Sequence, residues 1–254
     1  MANTSIEWTN RSWNPVTGCS RVSPGCTHCY ASAMAHRLQA MGSPHYANGF
    51  AVTLHEDALD LPLRWRTPAR IFVNSMSDLF HSRVPDAFLL RVFAVMRQAS
   101  WHSFQILTKR PGRLRRLARA LDWPPNVWVG VSIESDRFVA RADALRMVPA
   151  PVRFLSCEPL LSPLPSLVIG GESGPQARPM ELSWVRDLIG RCQEQGVAVF
   201  VKQMGSWWAR QRGERGKGSN PATWDADLRV REYPAPLLQG LQGANDALVS
   251  HPPR

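Results

Sequence analysis

Apolar residues gather in short runs separated by stretches of helical spacing. The runs at 71–73, 104–107, 127–133, 152–155, 167–169 and 197–201 are β-branched or aromatic and of strand length. Between most of them, 86–99, 112–121, 136–147 and 182–194 repeat apolar residues every three or four positions. Asp86 after Pro85 and Ser183 before Trp184 suit helix starts, and Gly196 suits a stop. A seventh strand, first in order, is expected within 8–15. Alternating strand and helix imply right-handed crossovers and a mainly parallel sheet, so the expected class is α/β with six or seven strands.

The rhythm breaks in three places. Residues 42–69 carry prolines, glycines and histidines with little pattern and read as an insertion. The string CEPLLSPLPS at 157–166 leaves no room for a helix, so that crossover is expected to be abbreviated or made by a loop. After Gly205 the pattern ends, and a basic, Pro-rich segment at 206–254 reads as a partly mobile extension of a 1–205 domain.

The strand ends carry the chemistry. VGVSIES, RFLSCEP, LVIGGES and VFVKQMG each close an apolar run with polar residues, among them Glu134, Glu158, Glu172, Lys202 and Gln203. In a parallel sheet or barrel the carboxyl ends of the strands share one rim, where function gathers. Each Glu taken alone is equally readable as an ordinary polar loop start.

At 254 residues and 44% hydrophobic, the chain can bury a real core. No apolar run is long enough to cross a bilayer, and residues 1–10 lack a basic segment followed by an apolar one, so a cytoplasmic location is expected. Thirty basic against twenty acidic residues give a net charge of +10, which suits a polyanionic partner. Only three of the thirty are lysines, an arginine bias that a GC-rich genome produces on its own.

Three of the five cysteines crowd together in WNPVTGCSRVSPGCTHCY, with six residues between Cys19 and Cys26 and two between Cys26 and Cys29. A two-residue gap lets neighbouring thiolates converge on one centre, and Gly18, Pro24 and Gly25 supply turns that return Cys19. A structural zinc site would want a fourth ligand, His28 or His36. A cubane held by three thiolates leaves one iron free to bind something else. A metal-free redox cluster of thiols is the third reading. Cys157 and Cys192 stand apart and read as core.

The cysteine triad ahead of a parallel strand series resembles the radical S-adenosylmethionine (SAM) enzymes. The strings WNPVTGC, VSPGCTHCYA, FVNSMSDLF, FQILTKRP, VWVGVSIES, RFLSCEPLL and IGGESG resemble a bacteriophage-associated three-cysteine-motif family of the gp thirty-seven and gp sixty-eight type, over about residues 5–205. That resemblance implies a partial (β/α) barrel, a [4Fe-4S] cluster on Cys19, Cys26 and Cys29, and SAM bound to it. SAM would then be reductively cleaved to a 5'-deoxyadenosyl radical acting on a substrate, with the electron coming from a separate donor. His28 takes the place of an aromatic residue near the adenine, beside Tyr30. Asn74, Ser75, Met76, Ser77 and Asp78 stand where many members have Gly-Gly-Glu against the SAM amino group. Thr108, Lys109, Ser132 and Glu134 fall to the SAM carboxylate and ribose, while Glu158, Glu172 and Lys202 face the substrate as candidate catalytic residues. The commonest radical SAM motif has three residues between its first two cysteines, where this chain has six.

Two basic stretches bear on the substrate. Lys109, Arg110, Arg113, Arg115, Arg116 and Arg119 place six cations in eleven positions, with Arg113 and Arg116 expected on one exposed helix face above a Leu114, Leu117 and Leu121 stripe. Trp207, Trp208, Arg210 and Arg212 open the second, where an extended segment would point one tryptophan outward for stacking on a nucleic-acid strand. A solvated arginine-rich face is the plain alternative. Two functions follow: an iron-sulfur radical SAM-like enzyme on a nucleic-acid or nucleotide-derived substrate, or a zinc-stabilised nucleic-acid-binding protein without catalysis.

Overall fold

The computed structural model describes residues 4, 6–162 and 171–233. In chain order its strands are β1 (Arg11–Trp13), β2 (Val16–Thr17), β3 (Thr53–Leu54), β4 (Arg70–Val73), β5 (Ser103–Thr108), β6 (Val127–Ser132) and β7 (Val152–Ser156). Five of them form an open sheet in the order β1-β4-β5-β6-β7, with every neighbouring pair parallel. The helices are α1 (Tyr30–Ala40), α2 (Leu61–Arg64), α3 (Asp86–Gln98), α4 (Pro111–Leu117), α5 (Ala140–Arg146), α6 (Leu182–Glu194) and α7 (Ser206–Gln211). The chain is therefore α/β with a parallel sheet, as its periodicity predicts.

Alternation along the strands separates two faces. Ile71, Val73, Phe104, Ile106, Val127, Val129 and Val131 are fully buried and share one core with Phe88, Leu89, Val92, Phe93 and Met96 of α3. Those α3 positions recur at helical spacing, so one stripe faces the sheet. On the opposite face, Phe72, Leu107, Trp128, Phe154, Ser132 and Ser156 line cavities. Cys157 and Cys192 belong to the core, where burial pushes the Cys157 thiol up.

Several expectations change. The run at 197–201 forms no strand: Phe200 makes an isolated antiparallel bridge to Arg231, and Val199 and Val201 exchange backbone bonds with Glu232 and Val230. Residues 230–232, after the second basic stretch, thus pair with this run. The run at 167–169 and the tail from 234 lie outside the described residues. The 112–121 helix ends at Leu117, and 136–147 divides into a 3-10 turn (Asp136–Phe138) and α5.

The 42–69 insertion is ordered by polar and ring contacts that hydrophobic spacing does not reveal. β3 pairs antiparallel with β2. The His45 and His55 rings stack at 4.3 Å, Thr17 Oγ1 lies 2.8 Å from His55 Nε2, and Trp13 Nε1 donates to Ala58 O at 2.8 Å. Beyond Gly205, Trp207 and Trp208 sit on α7 and not on an extended segment. Trp208 is only 6% exposed and joins the core with Ala209, Trp224 and Leu228. Among the described residues, no helix is long and apolar enough to cross a membrane.

Candidate functional site

The cysteine loop leaves β2 through Gly18, whose φ of +81° lies in the left-handed region. A Cβ there would overlap the Ala51 carbonyl, so the chain passes against 50–51 only because position 18 is glycine. Cys19 N then donates to Phe50 O at 3.2 Å. A 3-10 turn, Pro24–Cys26, brings round the second thiol, and Cys29 immediately precedes α1. None of the three is in a disulfide, and all are half-buried. They stand on the wall between two cavities: one of about 180 Å³ at the carboxyl rim of the sheet, and one of about 860 Å³ bordered by α1 and 173–176.

The rim cavity collects most of the expected residues. Asn74, Ser75, Ser77 and Asp78 follow β4, Thr108 and Lys109 end β5, and Ser132 ends β6. His28, Tyr30, Glu158, Glu172 and Lys202 complete the wall. Asp78 is fully engaged, accepting from Thr108 Oγ1 at 2.7 Å and from the backbone N–H groups of Lys109 and Phe80 at 3.0 Å. Lys109 Nζ donates to Ser132 Oγ at 3.2 Å, and Tyr30 OH to Ser75 O at 2.6 Å. Lys202 pairs with Glu158 at 2.6 Å. Asn74 is 2% exposed at φ +60°, and its Nδ2 donor has no partner. Asn adopts that left-handed conformation more readily than most residues, and here it lies in the cavity wall.

Glu134 is placed differently. It is 0% exposed, absent from the cavity wall, and accepts from Arg141 NH1 at 2.6 Å and from the Ser23 hydroxyl. It therefore grips the cysteine loop from beneath and does not line the rim cavity. Two further carboxylate–arginine pairs act on the same loop. Arg178 clasps both oxygens of Glu172 and donates to Pro24 O at 3.1 Å, while His28 Nδ1 lies 3.4 Å from Glu172. Arg110, 3.8 Å from Asp78, donates to Ser20 O and Oγ at 2.9 Å and reaches Cys19 Sγ at 3.8 Å. Burial opposes ionisation of Glu172, but the Arg178 bonds outweigh it and hold the carboxyl below its usual value. Burial and the Asp78 charge push the Cys19 thiol up, with Arg110 opposing.

Arg110, Arg141, Arg178, Ser20 and Ser23 were outside the site expected from sequence. Arg110 reads there only as part of a basic stretch, and nothing in spacing singles out Arg141 or Arg178. Gln203 is a buried tie from its Nε2 to Gly171 O and Ser173 Oγ. The basic stretches also differ from expectation. Arg113 is taken up by His81 O, Val84 O and Asp86, so it shares no free face with Arg116; Arg115, Arg116 and Arg119 remain exposed. Arg210 donates to Gly174 O at 3.1 Å, and Arg212 stacks 4.5 Å over the buried Trp208 ring.

A family match spans residues 3–234 and carries the description "Protein of unknown function (DUF5131)". The chain belongs to this family. No curated protein is detectably similar to it. Among solved structures, a spore photoproduct lyase double mutant with bound AdoMet and dinucleoside spore photoproduct is similar at 13% identity and a TM-score of 0.49. Spore photoproduct lyase complexed with the dinucleoside is similar at 14% identity and the same TM-score. Each match covers 80% of the DUF5131 chain and 58% of the lyase chain, so this chain spans less than two thirds of either.

The sulfurs of Cys19, Cys26 and Cys29 are not all within 4.8 Å of one another. Among the described residues, the only three or more His, Cys, Asp or Glu ligand atoms all within 4.8 Å of one another belong to His45, His55 and Asp57. Three thiolates match a cubane that keeps one iron open, whereas a closed zinc site would need a fourth ligand beside them.

Proposed function

We propose that this chain is a radical SAM-type enzyme in which Cys19, Cys26 and Cys29 hold a [4Fe-4S] cluster and SAM occupies the rim cavity. The observation that carries this reading is the meeting of three unbridged thiols with the polar ends of parallel strands around one cavity. When bound, the cluster would pass one electron to SAM, breaking the C5'–S bond, releasing methionine and leaving the 5' carbon to take a hydrogen atom from substrate. The electron comes from a low-potential one-electron donor.

The chain's own residues provide position and shelter. The unpartnered Asn74 Nδ2 and the Lys109 ammonium supply a hydrogen-bond donor and a positive charge for a methionyl carboxylate. Ser75, Ser77, Ser132 and the Thr108 hydroxyl add neutral polar contacts, with His28 and Tyr30 beside the last cysteine. Asp78 acts by fixing the β4 and β5 ends. Glu158 and Lys202 stand where a substrate would meet the cavity. A nucleic-acid or nucleotide-derived substrate accords with the exposed Arg115, Arg116 and Arg119 and with the net charge.

Anaerobic reconstitution with iron and sulfide is expected to give about four irons per chain, and SAM with dithionite to yield 5'-deoxyadenosine by chromatography. Stoichiometric zinc in place of iron, or full cluster assembly in Cys26→Ala, would refute the cluster. A four-iron protein that leaves SAM intact would refute the cleavage.

A further inference from the structure

Past Glu158 and Lys202 the rim cavity meets a second chamber of about 100 Å³, and the two share Trp8, Ser156, Glu158 and Lys202. Its floor is the inner face of the sheet, where register sets Gln105 on β5 beside Trp128 on β6. Trp8, Phe154, Phe200 and Tyr233 supply further ring surface. Phe154 can lie across β6 because position 130 is glycine: a Cβ there would come within 2.5 Å of the Phe154 ring.

One polar group inside this chamber is unanswered. Gln105 is 2% exposed, its Nε2 makes, among the described residues, only a long 3.5 Å contact with Trp8 O, and its Oε1 has no partner there. A buried acceptor without a donor is rare and calls for a group that supplies the hydrogen. The chamber is smaller than the engineered cavity of about 150 Å³ that admits benzene, so it takes at most one six-membered ring, with the ring's substituents in the mouth shared with the rim cavity. Aromatic walls favour a planar ring by stacking. Apart from Glu158, Lys202 and the exposed Glu232, the lining is mostly ring and aliphatic surface, which suits an uncharged ring.

We infer that this chamber is the substrate seat and takes one planar, neutral heteroaromatic ring with an N–H donor directed at Gln105, as in a pyrimidine base. The remainder of the molecule passes the Glu158–Lys202 pair toward the cysteines. The inference deepens the proposed function, on which the later chemistry rests, while ring binding can be measured without a cluster.

The test is a titration of the full-length chain with cytidine and thymidine, read by saturation-transfer NMR and tryptophan fluorescence, with ribose as the ring-free control. Saturation is expected to concentrate on the base protons. Gln105→Leu, which keeps the bulk and deletes the acceptor, is expected to weaken binding about three- to tenfold while leaving the melting temperature equal or higher. Phe200→Ala should weaken it as well, through lost stacking. A short single-stranded oligonucleotide binding more tightly, with steep salt dependence, would mean that the ring arrives on nucleic acid; equal affinity would mean a free nucleoside, and either keeps the seat. No saturation transfer at millimolar nucleoside, equal transfer to sugar and base protons, or unchanged affinity in Gln105→Leu would overturn it. Iron is measured on the same preparations. A chain that binds nucleoside without taking up iron refutes the cluster alone, and a four-iron chain blind to nucleoside refutes the seat alone.

Discussion

Replacing Arg141 by methionine keeps a long apolar stem and deletes the guanidinium that faces Glu134. The two side chains are 8% and 0% exposed and 2.6 Å apart, and Arg141 also donates to Ser132 O at 2.6 Å and lies 4.3 Å over the Phe138 ring. Breaking a buried pair from one side leaves a carboxylate with no counter-charge, which costs about 3–5 kcal/mol. Total stability is about 5–15 kcal/mol for a typical domain, and each kcal/mol shifts the midpoint by about 2–4 °C at this size. The variant should therefore melt roughly 6–20 °C lower. In Glu134→Gln with Arg141→Met the charge is gone while an acceptor for the Ser23 hydroxyl remains, so the loss should fall to about 1–2 kcal/mol. Urea unfolding followed by tryptophan fluorescence and circular dichroism gives both values, and iron uptake by the same samples reports on the cysteine loop that Ser23 anchors. A loss below about 1 kcal/mol for Arg141→Met, or a double variant no more stable than the single, would refute the buried-pair reasoning.

Gly18→Ala combines a left-handed φ with overlap against the Ala51 carbonyl, so it should destabilise by about 2 kcal/mol or more and lower reconstituted iron, read by unfolding and metal analysis. Because Arg178 holds Glu172 below its ordinary 4.5, this carboxylate contributes stability in full above that value, and the contribution is lost as pH falls through the lower folded value. Melting curves from pH 7 to pH 3 should accordingly show the gap between wild type and Glu172→Gln closing at the acid end; a gap that is constant with pH would count against the clasp. Exchanging Arg115, Arg116 and Arg119 for Gln should flatten the salt dependence of oligonucleotide binding by about one to three in log–log slope. Arg113→Gln should instead lower the melting temperature and leave that slope unchanged, since its bonds run to His81, Val84 and Asp86.

The periodicity of the chain determined its class and most of its elements. Runs of β-branched residues alternating with helical spacing gave β4 to β7 and α3, and 182–194 matches α6 end to end, because both periods follow from burying one face. Local chemistry also marked the three cysteines and the polar residues that end each strand, since a parallel sheet must bring those ends to one rim. Spacing could not show which carboxylates face the cavity. Glu134 and Glu158 look alike as strand-end acids, yet Arg141 draws the first beneath the loop and Lys202 holds the second at the wall. Nor could it show that Trp208 is core and Arg113 is tied, because both depend on segments far from them along the chain. Gln105 is the sharpest case: in sequence it is one polar residue within an apolar strand, and only the assembled sheet sets it beside Trp128 in the lining of the second chamber. Burial along a strand or helix is a local property that residue order can encode, whereas partners more than a hundred residues apart, such as Ser23 and Glu134, meet only when the sheet assembles.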